Sequence, residues 1–282
     1  MSARTTWRKL VNAIMLGLTG ACTLLTVSVL FFVLGYLVWH GGKEVTWNFF
    51  TKLPASVGEP GGGMANAIVG SGKLLFLAML FGVPIGVLGG VYLAEFGGRT
   101  FGFLVRYTTD LLNGVPSIII GMFAFAVVVV PMHRFSAWAG GFALGIMTIP
   151  ITVRSTEQFL RSVPNSLREG ALALGASKWK SILTVILPAA SSGIISGIML
   201  ALARVAGETA PLLFTAFNNH YWSSGLDQPV SSLPYMIYIY AISAYRDWQE
   251  QAWAAGLVLL AFVLIINAST RLLLARRTAV PK

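Results

Sequence analysis

E-G-A-L-A-L-G-A-S-K-W-K-S-I-L-T-V-I-L-P, residues 169 to 188, is a charged, helix-forming stretch set between segments apolar enough to reside in lipid. Ser166 followed three residues later by Glu169 fits a capping box, in which hydroxyl and carboxylate each satisfy an orphan backbone N–H, so a helix is expected to begin there. Leu167, Ala171 and Leu174 then share one face, and Gly175 is placed to end the helix in a left-handed conformation. Ser177 can cap a second helix, which Pro188 is expected to kink as it turns apolar. A discrete helix of this kind is either a docking element for another protein or an element lying on lipid headgroups.

The surrounding chain has 282 residues, 56% hydrophobic and 11% charged, with a mean hydropathy of +0.74, which excludes a soluble globular domain. A hydrocarbon core about 30 Å thick takes about 20 apolar residues per helix. Six runs qualify, near 12–38, 69–93, 111–131, 137–153, 182–207 and 252–273, so the expected fold is an all-α integral membrane protein with six transmembrane helices. The first run follows Arg4, Arg8 and Lys9 but is longer than a signal-peptide core, and reads as a retained anchor. Cys22 lies inside it as the only cysteine, so no intramolecular disulfide can form.

The net charge of +10 is a matter of topology. With the N-terminus inside, the inner segments hold Arg4, Arg8, Lys9, Arg99, Arg106, Arg154, Arg161, Arg168, Lys178, Lys180, Arg271, Arg276, Arg277 and Lys282, against Lys43, Lys52, Arg134 and Arg246 outside. This positive-inside asymmetry puts both termini and the Glu169 helix in the cytoplasm and leaves no basic excess for nucleic acid.

Residues 1–68 comprise the N-terminal tail, the anchor and an outer loop broken by Gly41, Gly42, Pro54, Pro60 and Gly61 to Gly63; residues 69–282 form the core, with the charged loop at 162–188. Within the core, Pro84, Gly89, Gly90, Pro116, Gly121, Gly140, Gly141, Pro150, Gly193 and Gly197 punctuate the helices, as close packing or local breaks require. The outer segment 218–251 carries Trp222, Tyr235, Tyr238, Tyr240, Tyr245 and Trp248, an interfacial or re-entrant pattern.

Glu169, Gly175, Val185, Leu187 and Pro188 match in spacing the E-A-A-x3-G-x9-I-x-L-P loop, and the chain resembles the permease subunits of ABC importers. Gly170 stands for the first Ala of that loop, Ala171 for the second, and Val185 for the Ile. Four further runs are similar to the phosphate-specific importer permeases of the PstA type: L-N-G-V-P-S-I-I-I-G from Leu112, A-L-A-R-V-A-G-E-T-A-P-L-L-F-T-A from Ala201, S-L-P-Y-M-I-Y from Ser232 and A-W-A-A-G-L-V-L-L from Ala252. The resemblance implies a type I importer permease fold in the bacterial inner membrane. It implies that the loop is a coupling helix seated in a groove of an ATPase subunit. Its implied partners are a second, PstC-like permease, a PstB-like ATPase dimer and a PstS-like phosphate-binding protein.

Charged residues inside a bilayer face a bundle interior or a cavity. Arg204 and Glu208, at i, i+4 in the fifth run, are therefore expected to form an ion pair that either serves helix packing or yields Arg204 to a passing phosphate, a role the resemblance supports. Thr209 is a hydroxyl donor to the same path, or else back-bonds to its own helix. Arg154 closes the fourth run at the inner mouth; Asp110 reads as an N-cap, with Asn113 and Ser117 as pathway-facing polar groups. Lys73 snorkels to the outer interface, and His40, His133 and His220 lack metal-ligand spacing.

No G-x4-G-K-[ST] occurs, so ATP and its magnesium belong to a partner ATPase; the chain holds no cofactor and no catalytic constellation. The alternatives are a permease for another oxyanion, molybdate or phosphonate, and an ATP-independent anion channel or carrier.

Overall fold

The computed structural model describes residues 3–56, 59 and 61–278. Pro60, Lys282 and the side chains of Arg276 and Arg277 lie outside that description. Among the described residues every regular element is helical. In chain order they are α1 (Ala3–Gly41), α2 (Trp47–Thr51), α3 (Ala65–Glu95), α4 (Arg99–Gly114), α5 (Ser117–Met132), α6 (Ala137–Ser162), α7 (Asn165–Ala173), α8 (Lys178–Ala206), α9 (Ala210–Leu213), α10 (Leu233–Ala241) and α11 (Arg246–Thr278). By length and composition α1, α3, α6, α8 and α11 can each cross a bilayer, and α4 and α5 make a sixth span when the bent pair is counted as one.

The bundle is built on α3 and α6, which run parallel. Cβ atoms added at Gly82, Gly86 and Gly90 would come within 2.8, 2.5 and 2.5 Å of the Cβ atoms of Thr148, Thr152 and Thr156 in turn. Glycines four residues apart thus form one ladder, and threonines four apart fill it, the small-xxx-small device by which helices approach where lipid supplies no hydrophobic drive. Helix α8 crosses α6 in the opposite sense, with Gly193 against Phe159 and Gly197 against Ser155. Of the glycines read in the sequence as packing or break points, Gly90, Gly193 and Gly197 serve packing here, joined by Gly82 and Gly86, which that reading did not single out.

The run expected at 111–131 is not one helix. The chain turns by 101° between α4 and α5, at Val115–Pro116. Val115 is extended (ψ 128°), as a residue before proline prefers, and Pro116 has no N–H to continue the ladder. The crossing segment therefore begins at Ser117, while α4 is amphipathic and exposes Phe101, Phe103, Leu104, Tyr107 and Leu111. Asp110 accordingly lies inside α4 and caps nothing. The fourth crossing runs nine residues past its expected end, to Ser162, its last turns carrying charges that Arg106 and Asp110 of α4 neutralise.

Helix α1 stands apart, touching α11 where Gly41 meets the Trp253 backbone and Leu37 approaches Gly256. The segment 218–251 is less interfacial than its composition suggests. Met236 and Tyr240 are fully buried, Tyr235 is buried, and Tyr240 stacks on Trp248 at 4.4 Å, whereas Tyr238, Tyr245 and Trp222 remain exposed. The L-P-Y-M-I-Y-I-Y-A run is apolar around most of its circumference, and such a helix belongs in a core.

Candidate functional site

Helix α8 stops at Ala206, residues 207–209 are unwound, and α9 starts again at Ala210. Gly207 N–H donates to the Arg204 carbonyl at 3.4 Å and Glu208 N–H to that of Val205 at 3.2 Å, short closures that tighten a helix end. Pro211, without an N–H, fits the opening of a new helix and not the continuation of an old one. The expected i, i+4 pair is thereby overturned: Arg204 and Glu208 lie across a helix end, and neither bonds to the other or to any other described side chain. Thr209 does not back-bond either; its hydroxyl donates to the Pro234 carbonyl on α10 at 3.3 Å.

The depth of this break follows from helix register. Gly197 lies against Ser155, and carrying the antiparallel register seven residues further sets Arg204 level with Thr148, near the middle of α6 and beside the Gly82 rung of α3. An exposed guanidinium with no carboxylate partner among the described residues therefore sits about halfway along the bundle, at a discontinuous helix. The α4–α5 turn comes close to it. Helix α9 packs on α5, where a Cβ at Gly121 would lie 2.6 Å from Pro211 Cα, and Val115 packs on the cluster holding Val205 and Ala206. Asn113 and Ser117, both half-buried, flank that turn, so the two interruptions and their polar residues gather in one region.

Arg154 lies outside this gathering. It is six residues, about 9 Å of helix, closer to the end of the bundle that carries Arg106, Arg161 and Lys178. Its Nε donates to Asp110 Oδ1 at 2.9 Å, Nη2 bonds Asp110 Oδ2, and Nη1 reaches Glu157 Oε2 at 3.5 Å. Glu157, almost wholly buried, also receives Arg106 at 2.7 Å and Arg161 at 3.1 Å. This knot ties α4 to α6 and engages the Arg154 guanidinium fully.

At the same basic end, α7 projects from the bundle. Its N-cap is Pro164 and no side chain caps it, so the expected capping box is not formed. Ser166 already lies inside the helix, and Leu167 N–H donates to the Pro164 carbonyl at 3.2 Å instead. The C-terminus follows expectation: Gly175 takes φ +82°, its N–H bonds the Leu172 carbonyl at 2.9 Å, and Ala176 N–H bonds that of Ala171 at 3.1 Å, a Schellman ending. Ser177 caps the next helix by accepting from Lys180 N–H. Ahead of Pro188 the ladder loosens into a π-helical turn over Ile182–Ile186, and α8 runs on to Ala206.

The face expected to hold Leu167, Ala171 and Leu174 splits. Ala171 is buried, whereas Leu167, Leu172 and Leu174 are exposed, Leu174 at 91%, as is Trp179 against the Phe96 ring. Glu169, Gly170 and Pro188 are exposed and Leu187 is half-buried. This apolar tip is held by Arg168, which sequence reasoning counted only as a charge. Its guanidinium donates twice to Glu95 Oε1 (2.9 and 3.2 Å), and to the carbonyls of Leu160 (2.6 Å) and Val163 (2.7 Å). Lys178 adds a bond to the Glu95 carbonyl at 2.6 Å and lies over the Phe96 ring at 4.2 Å. The signal for Glu95, a carboxylate closing a long apolar run, was available; its partner 73 positions away was not.

Residues 82–279 match the family described as binding-protein-dependent transport system inner membrane component. The "Phosphate transport system permease protein PstA" of Yersinia pestis is 42% identical, with 96% of this chain and 92% of the relative covered. The protein of the same description in Haemophilus influenzae is 43% identical over 94% of each, and the "Probable phosphate transport system permease protein PstA" of Methanocaldococcus jannaschii is 36% identical over 94% of each. Among solved structures, an inward-facing MetNI methionine ABC transporter matches at TM-score 0.57 and 18% identity, covering 74% of this chain and 92% of that one. A bacterial ABC transporter that imports alginate matches at 0.60 and 15% identity, covering 76% and 79%. The helical architecture is thus the ABC importer permease fold, and the chain belongs to the family of binding-protein-dependent transport system inner membrane components.

Proposed function

We propose that this chain is the membrane-spanning permease subunit of an ATP-driven importer of inorganic phosphate, working by alternating access. The observation that carries the reading is Arg204: a guanidinium free of any carboxylate, at a helix break halfway along the bundle, in a chain related over almost its full length to permeases named for phosphate transport. A guanidinium presents a fork of donors that matches a phosphate oxyanion and stays charged at any physiological pH. Arg204 stands ready without Glu208 having to release it. Thr209, Asn113 and Ser117 supply neutral polar groups around the same break. Arg154 acts as a tie of the inner end.

The basic end, with both termini, faces the cytoplasm, and α7 is the coupling helix. Its apolar tip and Glu169, Gly170 and Gly175 seat in a PstB-like ATPase, Ala171 packs inward beneath them, and Leu187 and Pro188 lead its motion into α8. A PstC-like permease completes the pathway and a PstS-like protein delivers phosphate from outside. ATP and magnesium act in the ATPase, so this subunit carries no reaction of its own.

The test is ATP-dependent uptake of labelled phosphate by the complete complex in vesicles. Arg204→Ala should abolish uptake while the complex still assembles; undiminished uptake would overturn the assignment. Molybdate or phosphonate outcompeting phosphate would name a different oxyanion, and uptake without ATP would mean a channel or carrier.

A further inference from the structure

A second polar site lies below Arg204. A cavity of about 410 Å³ opens between α6, α8 and α11, lined among others by Ser155 and Gln158 of α6, Ser196 of α8, and Asn267, Thr270 and Arg271 of α11. Among the described residues its lining contains one cation and no carboxylate. Arg271 makes no hydrogen bond or ion pair with any described residue, and neither does the Gln158 amide. The hydroxyls of Ser155, Ser196 and Thr270 donate to carbonyls of their own helices, bonds that a stronger acceptor can replace. An uncompensated guanidinium, a free amide and three hydroxyls around one space form a donor set that suits an anion and repels none.

The cavity is also in line with Arg204. Gly197 and Leu200, both in its wall, precede Arg204 by seven and four residues, the spacing of a single helical face. Seven residues of helix is about 10 Å. The opening therefore lies one step from the break toward the basic end of the bundle.

We propose that Arg271, with Gln158, forms a second oxyanion site that receives a phosphate group at the inner end of the pathway. The inference rests on the phosphate-importer reading only for the source of that group: the same chemistry is offered by inorganic phosphate leaving Arg204 and by the phosphate of an anionic lipid in the inner leaflet. Charge, and the absence of any acidic residue in the wall, make the site selective for anions over cations; the fork of Arg271 favours an oxyanion over a halide.

The experiment places one thiol in the wall, Ser196→Cys in a Cys22→Ser background, in the complete transporter held in nanodiscs. Labelling by a water-soluble maleimide is timed in phosphatidylcholine discs with and without inorganic phosphate, and in discs containing phosphatidylglycerol without phosphate. Protection of about fivefold or more in either arm is expected, the arm naming the source, and Arg271→Ala should remove it. A charged hydrogen bond lost from an anion weakens binding by about tenfold or more, and Arg271→Lys should keep part of the protection. A thiol that is inert, or labelled at one rate in all discs, or protected equally after Arg271→Ala, would overturn the site. ATP-driven phosphate uptake by the same protein reconstituted in sealed vesicles separates the two readings: uptake without protection removes this site alone, and lipid protection without uptake removes the phosphate-importer reading alone.

Discussion

Arg168→Ala should loosen α7 from the end of the bundle. Arg168 is 20% exposed and Glu95 only 7%, and the guanidinium is the sole described partner of that carboxylate. Removing one member of a buried pair costs about 3–5 kcal/mol, because the survivor is left charged and unpaired. The partial exposure of Arg168 argues for the lower end, about 3 kcal/mol, which is roughly a hundredfold in the balance between a docked and a loosened α7. Amide hydrogen exchange across residues 165–173 of the purified complex should speed up by that order, while exchange in the α3–α6 pair stays unchanged. Adding Glu95→Ala should recover a large part of the loss, since no orphan carboxylate remains. Wild-type exchange in Arg168→Ala would refute the reasoning; a double variant no better than the single one would show that the carbonyl bonds to Leu160 and Val163, and not the ion pair, hold the helix.

The α3–α6 ladder has no spare room, so Gly86→Val should lower the melting temperature of the solubilised complex, overpacking costing about 1–3 kcal/mol, and Thr152→Gly in the same chain should restore it. Gly175→Val forces a β-branched residue to φ +82° at a cost of about 1–3 kcal/mol; phosphate-stimulated ATP hydrolysis should fall, and Gly175→Asn should fall less. Leu174→Glu places a charge on the most exposed apolar side chain of the α7 tip, so the ATPase should no longer co-purify; retention of a stoichiometric ATPase would contradict the docking face.

Features governed by a few neighbouring residues could be read from the sequence. The left-handed Gly175, the Ser177 cap and the long apolar crossings needed no tertiary knowledge. The misreadings come from competition that periodicity does not register. Ser166 offers a good cap, but Pro164 starts the helix earlier and takes the position. An average over 111–131 is apolar throughout and passes over the turn that Pro116 enforces. The i, i+4 spacing of Arg204 and Glu208 implies a pair only on a continuous helix, and Gly207 ends it. The ties of Arg168 to Glu95 and of Arg154 to Asp110 link positions 73 and 44 apart, where no local pattern points from one to the other.

The rungs formed by Gly82, Gly86 and Gly90 with Thr148, Thr152 and Thr156 act as detents. Helices meshed every four residues cannot creep past one another; the smallest slip that restores the mesh is a whole rung, about 6 Å. The pair is therefore a stiff lever. If α7 is pushed, the thrust entering through Arg168 and Glu95 should pass along this pair to the level of Arg204, and the bending should concentrate in the unwound residues 207–209 and the turn at Pro116.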